Sequence, residues 1–232
     1  MIGDKMNKIN VMIFPAGAEN ALEIYDSLKY HVLIDVYGAS SKNDFASYIY
    51  PEEHYFEGQY YISNPIFIDE FNLLLNKLKI DVVIPTHDTI ALFLAKNKEK
   101  INAKILTASY GTALICREKR RTFDLMKEYE FCPKIYSTLS EIKKEDYPIF
   151  VKPNIGEGAK GVFVANNLEE IIMKKVKLED MVVCELLPGK EFTVDCFTDI
   201  AGKLKFVGMR TRERVQMGIA FKSEAVECTE YI

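Results

Sequence analysis

The run FVKPNIGEGAKGVFV at residues 150–164 limits most tightly what this chain can fold into. An extended apolar stretch ends at Val151-Lys152-Pro153. Gly156, Gly158 and Gly161 follow within six positions, and Val162-Phe163-Val164 then resumes a strand pattern. This predicts a hairpin whose turn lets backbone N–H groups close around an anion, because glycine puts no Cβ in the way. Lys152 before the turn and Lys160 within it add positive charge. The competing reading is a hairpin that needs glycine only for its geometry. The P-loop pattern G-x-x-x-x-G-K-[ST] is absent. A strand rather than a helix follows the glycines, so a dinucleotide-binding fingerprint is excluded as well.

The first half is built differently. INVMIF at residues 9–14 has the length of a buried strand, and residues 19–29 carry helical spacing through Ala21, Leu22, Ile24, Tyr25 and Leu28. A second strand is expected over residues 31–37. Strand, turn, helix, strand makes a βαβ unit and hence a parallel sheet. The PAGAEN turn between them reads as structural, an anion site being the weaker alternative on a single glycine. Residues 40–61 are rich in tyrosine and read as a long loop with a short helix, packing over the sheet edge or lining a cleft. A helix over 67–79, a strand over 81–84, a helix over 90–98 and a strand over 103–108 complete a small doubly wound domain. His87 and Asp88 sit at a strand's carboxyl end, where such sheets bind ligands; helix capping by Asp88 or Thr89 explains them equally well.

Residues 117–129 predict a helix whose first turn crowds Lys119, Arg120 and Arg121. Helix N-termini favour acids, so three cations there point to a nearby anion. Net charge is −4 over 232 residues, which gives no basic surface for nucleic acid, so cationic sites must be local. Five cysteines without a C-x-x-C pair argue for reduced thiols in a cytoplasm. No apolar run approaches a membrane span, and the first ten residues lack a signal peptide's apolar core. In the second half a helix is expected over 168–176 behind an Asn167 cap, and strands over 181–187, 191–197 and 204–210. Arg210, Arg212 and Arg214 alternate, which places them on one strand face. They could hold an acidic substrate group or form a solvated face.

Taken in order, the second half is a lysine-bearing strand, a glycine turn, a helix, an apolar strand ending in Cys184-Glu185-Leu186-Leu187, and Glu191 just after Gly189. It resembles the ATP-grasp superfamily, in the pattern of the ATP-binding half of carbamoyl-phosphate synthetase large chains. The resemblance runs from about Ile9 onward and is strongest over residues 117–222. It implies an α/β chain: a doubly wound, pre-ATP-grasp sheet over 1–116, then an α+β, incomplete ATP-grasp domain. The latter has a small subdomain with the glycine loop over 117–188 and the start of the C-terminal subdomain over 189–232.

The resemblance also implies roles. Lys119 and Lys152 contact the phosphates of ATP, and Gly156, Gly158 and Gly161 belong to the flap over them. Glu185 lies near the adenine amino group, and Leu187 on the segment whose backbone meets adenine. Glu191 binds the ribose hydroxyls. Gly218, with Met217 and Ile219, lies beside the nucleotide. Arg210 and Arg212 are candidates to hold an acyl-phosphate or acceptor carboxylate.

Two departures stand out. Ala220 occupies a position that carries histidine in the compared pattern. The family's Mg²⁺ carboxylates, an acid followed by E-x-N, are not found after Glu191, where the acids are Asp195, Asp199, Glu213, Glu224, Glu227 and Glu230. The metal ligands are therefore expected outside this chain, as in a shortened, split or decayed copy that holds ATP but turns it over poorly alone. The activity implied at full length is ATP-dependent ligation of a small carboxylate to an amine or other nucleophile through an acyl-phosphate. The alternatives are a non-catalytic ATP-binding regulatory or interaction module, or one half of a split synthetase. A dinucleotide-dependent oxidoreductase would need G-x-G-x-x-G, which PAGAEN lacks. Expected partners are ATP, the two unidentified substrates, and a second copy or partner subunit; neither nucleic acid nor membrane is among them.

Overall fold

The computed structural model describes residues 8–156, 158–216 and 218–227. Met217, Cys228, Glu230 and the first seven residues, which figure above, lie outside the described residues. The chain divides into two units, Met1–Arg117 and Glu118–Ile232.

The first unit runs β1 (Ile9–Phe14), α1 (Glu19–Leu28), β2 (Ile34–Ser40), β3 (Tyr55–Glu57), α2 (Phe67–Leu78), β4 (Val82–Pro85), α3 (Asp88–Lys96), β5 (Lys104–Ile105) and α4 (Tyr110–Arg117). Its five strands pair in the order β3-β2-β1-β4-β5, all parallel. β1 is central and covered on both faces, which is why its sequence is apolar nearly throughout. Met12 and Phe14 pack with Phe67, Phe71 and Leu75 of α2 and Leu94 of α3. Ile13 faces the other way, toward Ala21 and Tyr25 of α1. This is the doubly wound sheet that the βαβ pattern predicts.

Several local expectations needed correction. β2 begins at Ile34, not His31, because the intervening residues turn off the end of α1. There His31 N–H donates to the Leu28 carbonyl at 2.8 Å and Leu33 N–H to His31 Nδ1 at 3.2 Å. The tyrosine-rich stretch contributes β3 at the sheet edge, in addition to two short 3₁₀ turns. The last strand is only two residues long. Residues 110–117 form a separate helix, α4, and residue 118 is extended (φ −102°, ψ 106°), so the helix predicted over 117–129 starts at Lys119.

The second unit opens with α5 (Lys119–Met126), β6 (Ile135–Tyr136), β7 (Ile149–Pro153), β8 (Phe163–Ala165), α6 (Leu168–Met173) and β9 (Met181–Glu185). These strands form an antiparallel sheet in the order β6-β9-β7-β8. The β7–β8 pair is the predicted hairpin around the glycines. One sheet face buries Ile149, Val151 and Val183 against Ile171 of α6. Beyond it come β10 (Phe192–Thr198), β11 (Leu204–Thr211), β12 (Arg214–Gln216), β13 (Ile219–Lys222) and β14 (Ala225–Val226). They make a β10-β11-β14 sheet and a separate β12–β13 ribbon.

α6 has only six residues, so its start must be held by side chains. Asn167 Oδ1 accepts from Glu170 N–H at 3.0 Å, and Glu170 Oε2 accepts from Asn166 N–H at 2.9 Å. Asn167→Ala is expected to remove about 1 kcal/mol of stability. Urea unfolding followed by circular dichroism checks this, and an unchanged midpoint would show that the cap contributes nothing.

Candidate functional site

The face of β7 opposite the core carries Phe150 and Lys152, because strand residues alternate. Phe150 lies opposite Cys184, and Lys152 opposite Val182. A cleft of about 520 Å³ opens on this side, within the range of small-ligand sites. It is lined by Phe150, Lys152, Cys184 and the whole segment from Glu185 to Glu191, with Pro133 at one wall. Lys152, Glu185, Leu187 and Glu191, named separately from the sequence, thus line one cavity.

Lys152 is set by aromatic rings. Its Nζ lies 4.6 Å from the centroid of Phe123, on α5, and 5.6 Å from that of Phe150. Among the described residues it pairs with no carboxylate, so its charge is balanced only by ring faces. Cys184 beneath it is buried. Burial pushes its thiol pKa up and the Lys152 charge pulls it back only in part, so the thiol stays protonated at neutral pH rather than nucleophilic.

β9 pairs with its neighbours as far as Glu185. Leu186 and Leu187 lie beyond the last pair, so the sheet leaves their backbone groups unused. Leu187 is also exposed at the cleft. An apolar side chain beside unpaired N–H and C=O groups suits a flat heteroaromatic ring with edge donors and acceptors. The Glu185 carboxylate is fixed by Lys134 N–H, which donates to Oε2 at 3.0 Å.

The glycine turn is joined to α5. Lys119 N–H donates to the Asn154 carbonyl at 3.1 Å and Arg120 N–H to Asn154 Oδ1 at 2.8 Å. Lys119 Nζ donates to the Gly156 carbonyl at 3.3 Å. Within the turn, Gly158 has φ 62° and Gly161 has φ 74°. A Cβ on Gly161 would stand 3.1 Å from Pro153 Cγ, so its angle calls for glycine and a side chain there would also crowd the Pro153 ring.

The three cations of α5 do not form a single anion cradle, which corrects the sequence argument. Arg120 donates to the carbonyls of Leu178 and, at 2.8 Å, Met181. Arg121 Nε donates to Glu118 Oε2 at 2.6 Å. Protein acceptors use these two guanidinium groups, whereas the Lys119 side chain reaches the glycine turn. The one-face expectation for the arginines also changes, since β11 ends at Thr211 and Arg214 starts a strand of another sheet. Arg210 Nε donates to Asp195 Oδ2 at 2.8 Å. Arg212 donates to Thr193 Oγ1 at 3.1 Å and to the Gly218 carbonyl at 2.7 Å, with its Nε 3.3 Å from Glu191 Oε1.

In the first unit, His87 itself caps α3, its Nδ1 accepting from Thr89 N–H at 3.2 Å. Asp88 lies 3.7 Å from Arg117. The capping explanation holds, with a different residue as the cap. The PAGAEN turn is filled by an acid: a Cβ on Gly17 would fall 2.2 Å from Asp44 Oδ2. A carboxylate there repels an anion, in keeping with the structural reading of that turn.

Sequence reasoning overlooked Phe150, Phe123 and Asn154. Phe150 was detectable from its two-residue offset to Lys152. Phe123 and Asn154 take their roles from contacts between segments about 30 residues apart, which leave no local signal.

No family model matches the chain. Over 143 residues, 54% of this chain and 14% of the relative, it is 27% identical to the arginine-specific carbamoyl phosphate synthase large chain of Halalkalibacterium halodurans. Among solved structures, an L-amino acid ligase from Bacillus licheniformis superposes with TM-score 0.65 at 19% identity, covering 90% of this chain and 53% of that one. A biotin carboxylase from Campylobacter jejuni, determined as a β,γ-ATP complex, gives 0.66 at 16%, covering 92% and 53%. The chain spans about half the length of these solved relatives. The chain thus shares the fold of these solved ligase and carboxylase structures, and over part of its length it is similar in sequence to the carbamoyl phosphate synthase large chain.

Proposed function

We propose that the cleft between β7 and residues 185–191 binds ATP, and that the chain is the nucleotide-binding part of an ATP-dependent carboxylate ligase. The observation that supports this most is the convergence of Lys152, Glu185, Leu187 and Glu191 on one cavity. Adenine lies against Leu187 and the unpaired backbone after Glu185. The ribose hydroxyls donate to Glu191. The phosphates run toward Lys152, Lys119 and the N–H groups between Gly156 and Gly161. Lysines suit this role as point charges on long stems that can follow a mobile polyphosphate.

In the reaction, a substrate carboxylate oxygen attacks the γ-phosphorus and ADP leaves. The acyl-phosphate is then opened by an amine at the acyl carbon, and phosphate departs. The chain's contribution is positioning and charge neutralisation, with no protein nucleophile. Arg210, on β11 and paired with Asp195, is the candidate for the acceptor carboxylate. Mg²⁺ does not fit the described residues: no three of their His, Cys, Asp and Glu side chains come together as a ligand set.

Calorimetric titration of the chain with ATP tests the reading. One saturable site, competed by ADP, is expected; no binding at millimolar ATP would end it. The lack of such a ligand set among the described residues also suits a second reading, a module that binds ATP without turnover. Phosphate release assayed across amino acids and small carboxylates separates the two. Sustained release favours the ligase, and binding without release favours the module.

A further inference from the structure

Resting on the ATP-binding reading above, we infer that Arg212 is a positioning residue that couples recognition of the ribose hydroxyls to the set of the glycine flap. Its guanidinium touches both ends of the site. Nε lies 3.3 Å from Glu191 Oε1, and one terminal nitrogen donates to Thr193 Oγ1 at 3.1 Å. The other terminal nitrogen donates to the Gly218 carbonyl at 2.7 Å. Gly218 in turn lies against the flap: a Cβ there would stand 3.4 Å from the Ala159 amide nitrogen and 3.5 Å from the Gly158 carbonyl carbon. Gly218 has φ 80°, so glycine is the residue that holds this backbone without strain, and the distances to the flap are those of ordinary van der Waals contact.

The environments of the two partners differ in a way that fits the role. The Arg212 side chain is 16% exposed, whereas Glu191 is 75% exposed. A mostly buried, planar fork thus lies beside a carboxylate that is itself largely exposed and so accessible to hydroxyl donors. Arginine does this where lysine cannot, because its donors are fixed in one plane and reach two acceptors while the Nε edge faces the carboxylate. Arg212 Nε is sealed from solvent and, although near Glu191, is not aligned for a hydrogen bond. A small rotation of the Glu191 carboxylate on accepting ribose hydroxyls would therefore be felt by the guanidinium, and through it by the Gly218 carbonyl and the flap. Arg212 accordingly acts through Glu191 and Gly218 rather than on the transferred phosphoryl group. Arg210 is not part of the linkage, since its partners are Asp195 and Ser223.

The test compares ATP with 2′,3′-dideoxy-ATP in the wild type, Arg212→Ala and Arg212→Lys, together with amide deuterium exchange over residues 158–161. In the wild type, removing the hydroxyls should weaken binding roughly tenfold or more, the scale of a hydrogen bond to a charged group, and ATP should slow exchange in the flap more than the analogue does. In Arg212→Ala the two nucleotides should bind equally, and flap exchange should no longer distinguish them. Arg212→Lys, which keeps the charge and the long stem but loses the fork, should bind ATP more tightly than Arg212→Ala yet still fail to distinguish the flap states. If either variant binds ATP but keeps the wild-type ratio and the wild-type exchange difference, the coupling is refuted. If Arg212→Ala does not fold by circular dichroism, Arg212→Lys alone decides. Failure of the wild type to bind ATP removes the functional reading, and this inference with it, a result distinct from ATP binding that lacks the coupling.

Discussion

Lys152→Ala is expected to weaken ATP binding by roughly ten- to a hundredfold, corresponding to about 1.5–3 kcal/mol for a hydrogen bond to a charged group. The size follows from its surroundings. Its ammonium lies over Phe123 and Phe150 and, among the described residues, has no acidic partner. Removing it therefore leaves no carboxylate of the described residues unpaired, and the loss falls on the ligand. Lys152→Met separates charge from packing, because it retains an apolar stem over the two rings. Both variants should lose ATP affinity by similar factors in calorimetric titration, with Lys152→Met the more stable protein. Undiminished affinity in either would place the phosphates elsewhere.

Phe14→Ala carries the largest expected effect on stability, about 3–5 kcal/mol from lost burial and the cavity left behind. Phe14 is fully buried at the end of the central strand. Its ring lies 5.0 Å from Phe71, 6.0 Å from Phe67 and 6.3 Å from Tyr60. Collapse into the gap is limited, because these rings also stack on one another, Phe67 and Phe71 at 5.2 Å. A single unfolding midpoint is ambiguous for a chain of two units, so hydrogen exchange at the β1 and β4 amides is the proper readout. It should quicken by at least about a hundredfold, while exchange in β7 and β9 stays near the wild-type rate. Equal acceleration in both sheets would mean that the two units unfold together.

The glycine turn shows what could be read early and what could not. Its hairpin was legible because a period-two apolar pattern flanks three glycines. The same alternation, applied to β7, sorts Ile149 and Val151 into the core and Phe150 and Lys152 onto the cleft. β1 was legible for a related reason: a short, continuously apolar run belongs in a sheet covered on both faces. The basic first turn of α5 misled, because charge along a sequence does not reveal which acceptors lie near it in space. Arg120 found two carbonyls near the start of β9, and Arg121 found the carboxylate three residues before it. The arginine alternation failed at Thr211, where β11 ends, since period two holds only while a strand continues. β3 escaped notice because three residues at a sheet edge gain their pairing from β2 and carry little pattern of their own.

The sequence by itself determined most of the order of elements, the doubly wound first unit and the glycine hairpin, because strand and helix periods and glycine's freedom are local properties of the chain. Only the tertiary structure decided that Lys152, Glu185, Leu187 and Glu191 share a cleft, that the Lys119 side chain meets the glycine turn while the Arg120 and Arg121 guanidinium groups are used elsewhere, and that Arg212 spans Glu191 and Gly218. Those facts depend on strand register and on contacts between segments distant in sequence, which are fixed by packing the whole unit at once.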